Sequence, residues 1–152
     1  IYEGPPQLKD KEVCEMINKA KVGVVLSAKE GACYASIEYL LAGLPVVSTV
    51  NIGGRNHFFD KRFCRIVPSH PKRIRDAINE LISLDIPPQF IRSSTMEKMK
   101  IDRLNIKSHL EKIYNSNNID KRNVEIDFER FFINKMIKNA QPFPKSLIDD
   151  LK

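Results

Sequence analysis

The feature that most constrains this chain is a pair of short apolar runs, residues 22–27 and 44–50, separated by a stretch with room for a single helix. Two strands joined through a helix lie parallel, because the helix returns the chain to the starting edge of the sheet, and such crossovers are right-handed. The first run, Val22-Gly23-Val24-Val25-Leu26-Ser27, has the composition of a buried parallel strand, and residues 28–31 break it. A helix is expected over about 32–42, with Gly43 in the usual terminating position. A third short strand is expected at 65–67. Upstream, Gly4, Pro5 and Pro6 mark a loop, and Asp10 is placed to cap a helix carrying Val13, Ile17 and Ala20. Downstream, Pro71 opens a helix with Ile74, Ala77, Ile78, Leu81 and Ile82 on one face. The expected class is α/β, a partial parallel sheet with flanking helices over residues 1–86, followed by a helical tail over 87–152.

Pro87 and Pro88 punctuate the change of regime, and Ser94 with Glu97 makes a capping box ahead of Met96, Met99, Ile106, Leu110 and Ile113. That pattern predicts a long amphipathic helix and then a loop over 115–120. Phe128, Phe131, Phe132 and Met136 suggest a further helix, while Val124, Ile126 and Phe128 alternate like a strand, so both remain open. With 152 residues, 42% of them hydrophobic and 29% charged, the chain is long enough for one globular domain with its own core and reads as neither disordered nor fibrous. No apolar run approaches the roughly 20 residues of a membrane helix. The chain opens on Ile1 without a basic start or an apolar signal core, and it reads as a partial chain. Cys14, Cys33 and Cys64 are odd in number and show no C-x-x-C spacing, which argues against a disulfide framework or a zinc site and for a reducing cytoplasm. The net charge of +6 is concentrated, since Lys61, Arg62, Arg65, Lys72, Arg73 and Arg75 have no acidic residue among them from 61 to 75. Such a run attracts phosphates, nucleic acid or anionic lipid.

The constellation that carries chemistry is Ser27-Ala28-Lys29-Glu30-Gly31-Ala32-Cys33, between the end of a strand and the start of a helix. Ligands of open α/β sheets bind at that edge. Gly31 permits a tight turn and close backbone approach, and the free N–H groups of a first helical turn favour phosphate. Glu30 and Glu38 bracket the turn about 10 to 12 Å apart, at 1.5 Å per helical residue. Carboxylates accept hydrogen bonds from vicinal hydroxyls, so one is suited to a sugar, the other to a ribose, with a diphosphate between them.

Taken in order, these residues resemble the GT-B glycosyltransferases of family 4, also called group 1, with their retaining Glu-x7-Glu motif at Glu30 and Glu38. Tyr2-Glu3-Gly4, the 21–27 strand, Gly43-Leu44-Pro45-Val46-Val47, the double glycine Gly53-Gly54, and Ile66-Val67-Pro68 before the Pro71 helix are each similar to family segments. The resemblance implies half of a Rossmann-like C-terminal, donor-binding domain. It implies that Glu30 contacts the donor sugar and supports transfer, that Glu38 binds the ribose, and that the amides of Gly31, Ala32 and Cys33 face the diphosphate. Ser27, Gly53 and Gly54 would support them from behind. The implied reaction is retaining and uses a nucleotide-activated sugar as substrate. No metal and no other cofactor is expected, and no Asp-x-Asp motif is present. Two departures stand out: Ala32-Cys33 replaces the family's Phe-Gly, and Arg55-Asn56-His57 replaces the acidic residue usual after the double glycine. The family's upstream diphosphate-gripping Arg and Lys and its acceptor domain have no counterpart in the sequence. The implied partners are therefore a nucleotide-sugar donor and an N-terminal acceptor domain or partner chain, with a peripheral membrane or lipid-linked acceptor as a further expectation and nucleic acid disfavoured.

Alternatives follow from the same residues. Glu30 and Glu38 alone would read as one loop carboxylate and one solvated helix carboxylate. A glycosidase pair requires facing carboxylates roughly 5 to 9.5 Å apart, which a helix-start placement suits poorly. Cys33 at a helix N-terminus is a weak nucleophile candidate with no nearby histidine. His57, His70 and His109 are each isolated in sequence. A non-catalytic or split nucleotide-sugar-binding subunit, which needs a partner domain, is the alternative function. The basic run motivates a nucleic-acid-binding domain, but it has no interleaved aromatics.

Overall fold

The computed structural model describes residues 8–117 and 123–128. Its elements are α1 (Asp10–Lys19), β1 (Gly23–Val25), α2 (Tyr34–Leu41), β2 (Val46–Thr49), β3 (Cys64–Val67), α3 (Pro71–Ser83) and α4 (Pro88–Ser116). The strands form one parallel sheet in the order β1-β2-β3, with Gly23 opposite Val46 and Val46 opposite Cys64. The protein is thus α/β, a three-stranded parallel sheet flanked by helices, as the strand-helix-strand pattern requires.

The central strand explains why the sheet forms. Val46, Val47, Ser48 and Thr49 are all buried, because β2 is paired on both sides and covered on both faces. Val46 packs with Val25, Cys33, Leu40, Phe63, Cys64 and Ile91, whereas Val47 packs on the other face with Ala77 and Leu81 of α3. Burying side chains such as Leu40 and Leu81 contributes roughly 1.5–3 kcal/mol each. β1 differs from the expectation of a wholly buried strand. It is paired on one side only among the described residues, so Val25 faces the core while Val24 is 37% and Leu26 is 48% exposed.

Several boundaries move, each for a local reason. Asp10 is the first helical residue of α1, not its cap; the cap is Lys9, whose N–H donates to Glu12 Oε2 at 2.7 Å. In α3, Pro71 occupies the first turn, where its missing N–H costs nothing, and Ala77 and Leu81 are buried, but Ile82 is 48% exposed and lies off the core face. The long helix starts at Pro88, so Ser94 and Glu97 sit inside α4 and make no capping box. The N–H groups of Phe90 and Ile91 donate to the Pro87 carbonyl, and Ile91 and Thr95 are buried. Gly43 follows α2 at φ +85°, and a Cβ there would stand 2.6 Å from Pro88 Cβ, so the helix terminator also makes room for the start of α4.

The backbone divides into two compact units, Ile1–Lys100 and Ile101–Lys152, with α4 running through the division. In the second unit residues 124–128 are helical, which decides between the two open readings there. Phe128 is 1% exposed beneath Arg103 and Lys107, and the Tyr114 hydroxyl donates to Asp127 Oδ2 at 2.9 Å. Phe131, Phe132 and Met136 lie outside the described residues.

Candidate functional site

Past the C-terminal ends of β1 and β2 the two chain segments stay together. Lys29 and Ile52 form an isolated parallel bridge, the Ile52 N–H donates to the Ala28 carbonyl at 3.0 Å, and the Glu30 N–H donates to the Ile52 carbonyl at 3.1 Å. Gly53 follows at φ +136°, and a Cβ built there would overlap the Glu30 carbonyl oxygen. Only glycine combines that dihedral with so close an approach. Gly54 lies alongside Gly31, at ordinary contact distance from its carbonyl oxygen. Gly31 itself is exposed, its φ is not positive, and nothing stands within 4 Å of where its Cβ would be. The chain bends at Gly31, which borders open space, while close packing is enforced at Gly53.

The Glu30 side chain is held in place although it is 34% exposed. The Ser27 hydroxyl donates to Glu30 Oε2, and Arg55 Nη1 stands 3.5 Å from the same oxygen. Hydrogen bonds from Ser27 and then Cys33 hold the Glu30 carboxyl below the usual glutamate range; desolvation opposes them, and the Arg55 charge assists. Arg55 is 2% exposed. Its Nη1 donates to the Ser27 carbonyl at 2.8 Å and to Ser27 Oγ at 2.7 Å, and its Nη2 donates to the Thr49 carbonyl at 2.7 Å. Burying a guanidinium is costly unless its donors are met, and here two main-chain carbonyls, a hydroxyl and a carboxylate meet those of Nη1 and Nη2.

α2 begins at Tyr34, with Cys33 as an N-cap that makes no side-chain capping bond. The N–H groups of the first turn are those of Tyr34, Ala35 and Ser36, since the first bond back along the chain runs from Ile37 to the Cys33 carbonyl. Gly31, Ala32 and Cys33 lie before the helix, and the unbonded donors of its dipole end come from 34–36. The Glu30–Glu38 ruler changes for the same reason, because a rise of 1.5 Å per residue holds only from Tyr34 onward. Cys33 is 4% exposed and packed in the core, so its thiol is not presented as a nucleophile. Burial pushes the Cys64 thiol up to about 11. Glu38 is exposed on α2, and no side chain bonds it among the described residues.

Among the described residues, the buried side-chain polar atoms that find no protein partner are Thr49 Oγ1, both amide atoms of Asn51, Arg55 Nε and Asn56 Oδ1. All belong to the 49–56 segment. The basic run is different in kind. Arg62 makes bonds of 3.0 and 2.8 Å to Asp60, Arg65 makes bonds of 3.0 and 2.7 Å to Glu80, and Arg75 lies 4.0 Å from Asp76. Arg62 holds the Asp60 carboxyl down at about 2. The uninterrupted cationic run in the sequence is thus a partly ion-paired surface, because the acids that neutralise it come from just outside residues 61–75.

The family model for group 1 glycosyl transferases matches residues 5–98, more than half of the chain. The chain belongs to the group 1 glycosyltransferases. No curated protein and no solved structure matches it. In this glycosyltransferase the matched span contains the whole sheet, α2 with Glu38, the Glu30 loop and Arg55. No helix among the described residues is long and apolar enough to cross a membrane, and no group of three His, Cys, Asp or Glu there could hold a metal ion. Sequence reasoning brought out Glu30, Glu38, Ser27 and the double glycine, but it registered Arg55 only as a departure from the family pattern. The available signal was a single arginine directly after two glycines, at a loop that must lie beside the Glu30 loop once the strands pair in parallel.

Proposed function

We propose that this chain provides the donor site of a retaining glycosyltransferase that uses a nucleoside diphosphate sugar. The observation that carries the reading is the fixed, ionised Glu30 at the C-terminal edge of a parallel sheet, directly before the uncapped N-terminus of α2. In this reading the first-turn amides of α2, together with those of Gly31, Ala32 and Cys33, face the diphosphate. Charge that develops on it as the bond to the sugar C1 breaks is met by donors already in place. Glu38 accepts hydrogen bonds from the ribose hydroxyls. Glu30 accepts them from the donor sugar and, being ionised, stabilises the positive charge that gathers at C1 during transfer. Ser27, Gly53 and Gly54 hold Glu30 from behind. The acceptor is bound by a further domain or a partner chain, soluble or at a cytoplasmic membrane surface.

Calorimetry with nucleoside diphosphates tests the reading. The folded protein is expected to bind one of them, and Glu30→Gln in the assembled enzyme is expected to lose turnover while keeping nucleotide affinity. A folded enzyme that binds no nucleotide would remove the proposal.

A further inference from the structure

We propose that Arg55 is a positioning residue for glycosyl transfer, which fixes Glu30 through the Ser27 hydroxyl by a relay from guanidinium to hydroxyl to carboxylate. This rests on the reading of Glu30 as the carboxylate that serves the donor sugar. The direction of the relay follows from hydrogen-bond chemistry. Arg55 has donors only, so at 2.7 Å from Nη1 the Ser27 oxygen must accept, and the single Ser27 proton is then free to point at Glu30 Oε2. Each link strengthens the next, because a hydroxyl that accepts from a cation becomes a better donor, and the guanidinium end of the first link is buried. The same guanidinium also ties both segments together through the Ser27 and Thr49 carbonyls. Glu30 is half-exposed, and an exposed glutamate without such a relay would sample several rotamers. With it, the carboxylate is presented in one place before any donor arrives. The buried end of the relay cannot touch a ligand, since the Arg55 side chain is fully enclosed.

The geometry separates the roles of charge and shape. Lysine at 55 would keep the positive charge but lose the planar fork that reaches two carbonyls and a hydroxyl at once. In Arg55→Lys, and in Ser27→Ala, the Glu30 carboxyl followed by carbon-13 NMR is expected to titrate at higher pH than in the parent. The acid limb of the kcat profile should move the same way. The assembled enzyme should lose up to about 10²-fold in kcat while KM for the donor changes little. Ser27→Ala removes only an exposed hydroxyl, so it carries the test even where a substitution at the buried arginine prevents folding. The proposal is overturned if Glu30 titrates in folded Ser27→Ala as it does in the parent and kcat is unchanged. If the titration moves but Glu30→Gln retains full turnover, the relay stands and the catalytic reading of Glu30 is the part that fails.

Discussion

Around Glu30 the chain is held from every side: its N–H is bonded to Ile52, its carbonyl is pressed by Gly53, and its carboxylate is met by Ser27 and Arg55. On α2, eight positions further on, Glu38 stands in solvent with no side-chain partner among the described residues. The two carboxylates share a motif, yet one is organised by the protein and the other stands exposed on α2. The difference has a thermodynamic meaning. A group fixed before binding spends no ligand affinity on its own ordering and can meet a charge as it develops, whereas a free group contributes to affinity less the entropy lost when it is fixed. On the proposed donor-site reading, turnover is expected to rest on the Glu30 region and affinity on the Glu38 region, and each expectation can be broken separately.

The largest effect is expected from Gly53→Ala. The added methyl has no place to go but into the Glu30 carbonyl, at a φ of +136° that alanine resists. Overpacking and backbone strain together cost on the order of 3 kcal/mol or more. A denaturant titration should show that loss, and any folded fraction should have its turnover reduced far more than its nucleotide affinity. Turnover at the parent level in stable Gly53→Ala would show that the close approach at Gly53 does not position Glu30.

Much of this was legible in the sequence, and what was missed has a common cause. The parallel sheet follows from the apolar runs and the intervening helix. The start of α4 was misplaced because Ser94 and Glu97 satisfy a local capping rule, while the true start is set by Pro88 and by Ile91 packing into a core formed largely by residues 25–64. The start of α2 was set too early because Cys33 gives no side-chain cap to mark it. Arg55 could not be read as buried at all. Its partner Ser27 lies 28 positions away, and only the pairing of two loops beyond the strands brings them together. Local signals fail where a long-range contact decides.

A middle-sized effect is expected from Glu38→Ala. A hydrogen bond to a charged group contributes about 1.5–3 kcal/mol, so the dissociation constant for a nucleoside diphosphate should rise roughly 10- to 100-fold by calorimetry. Stability should hardly change, because an unbonded exposed carboxylate leaves nothing unsatisfied when removed. A loss of turnover at saturating donor, with affinity intact, would reverse the assignments of Glu38 and Glu30.

The smallest effect asks whether restraint alone makes a carboxylate functional. Asp60 is held as firmly as Glu30, by the Arg62 N–H at 2.9 Å, by the Arg62 guanidinium, and by Lys98 at 4.0 Å, but its partners belong to the ion-paired surface. Its folded pKa of about 2 lies below the ordinary value of 3.8, so its contribution is fully present above the ordinary value and is lost as pH falls from there through about 2. With Arg62 largely solvated, that contribution is on the order of 1 to 2 kcal/mol. Asp60→Asn should therefore lower the unfolding free energy from urea titration at neutral pH by that amount, and the gap from the parent should close as pH falls from about 4 toward 2. Nucleotide affinity and turnover should stay at parent levels. A loss of turnover in folded Asp60→Asn would mean that a restrained carboxylate elsewhere also serves transfer, and that the place of Glu30 beside the N-terminus of α2 is not what distinguishes it.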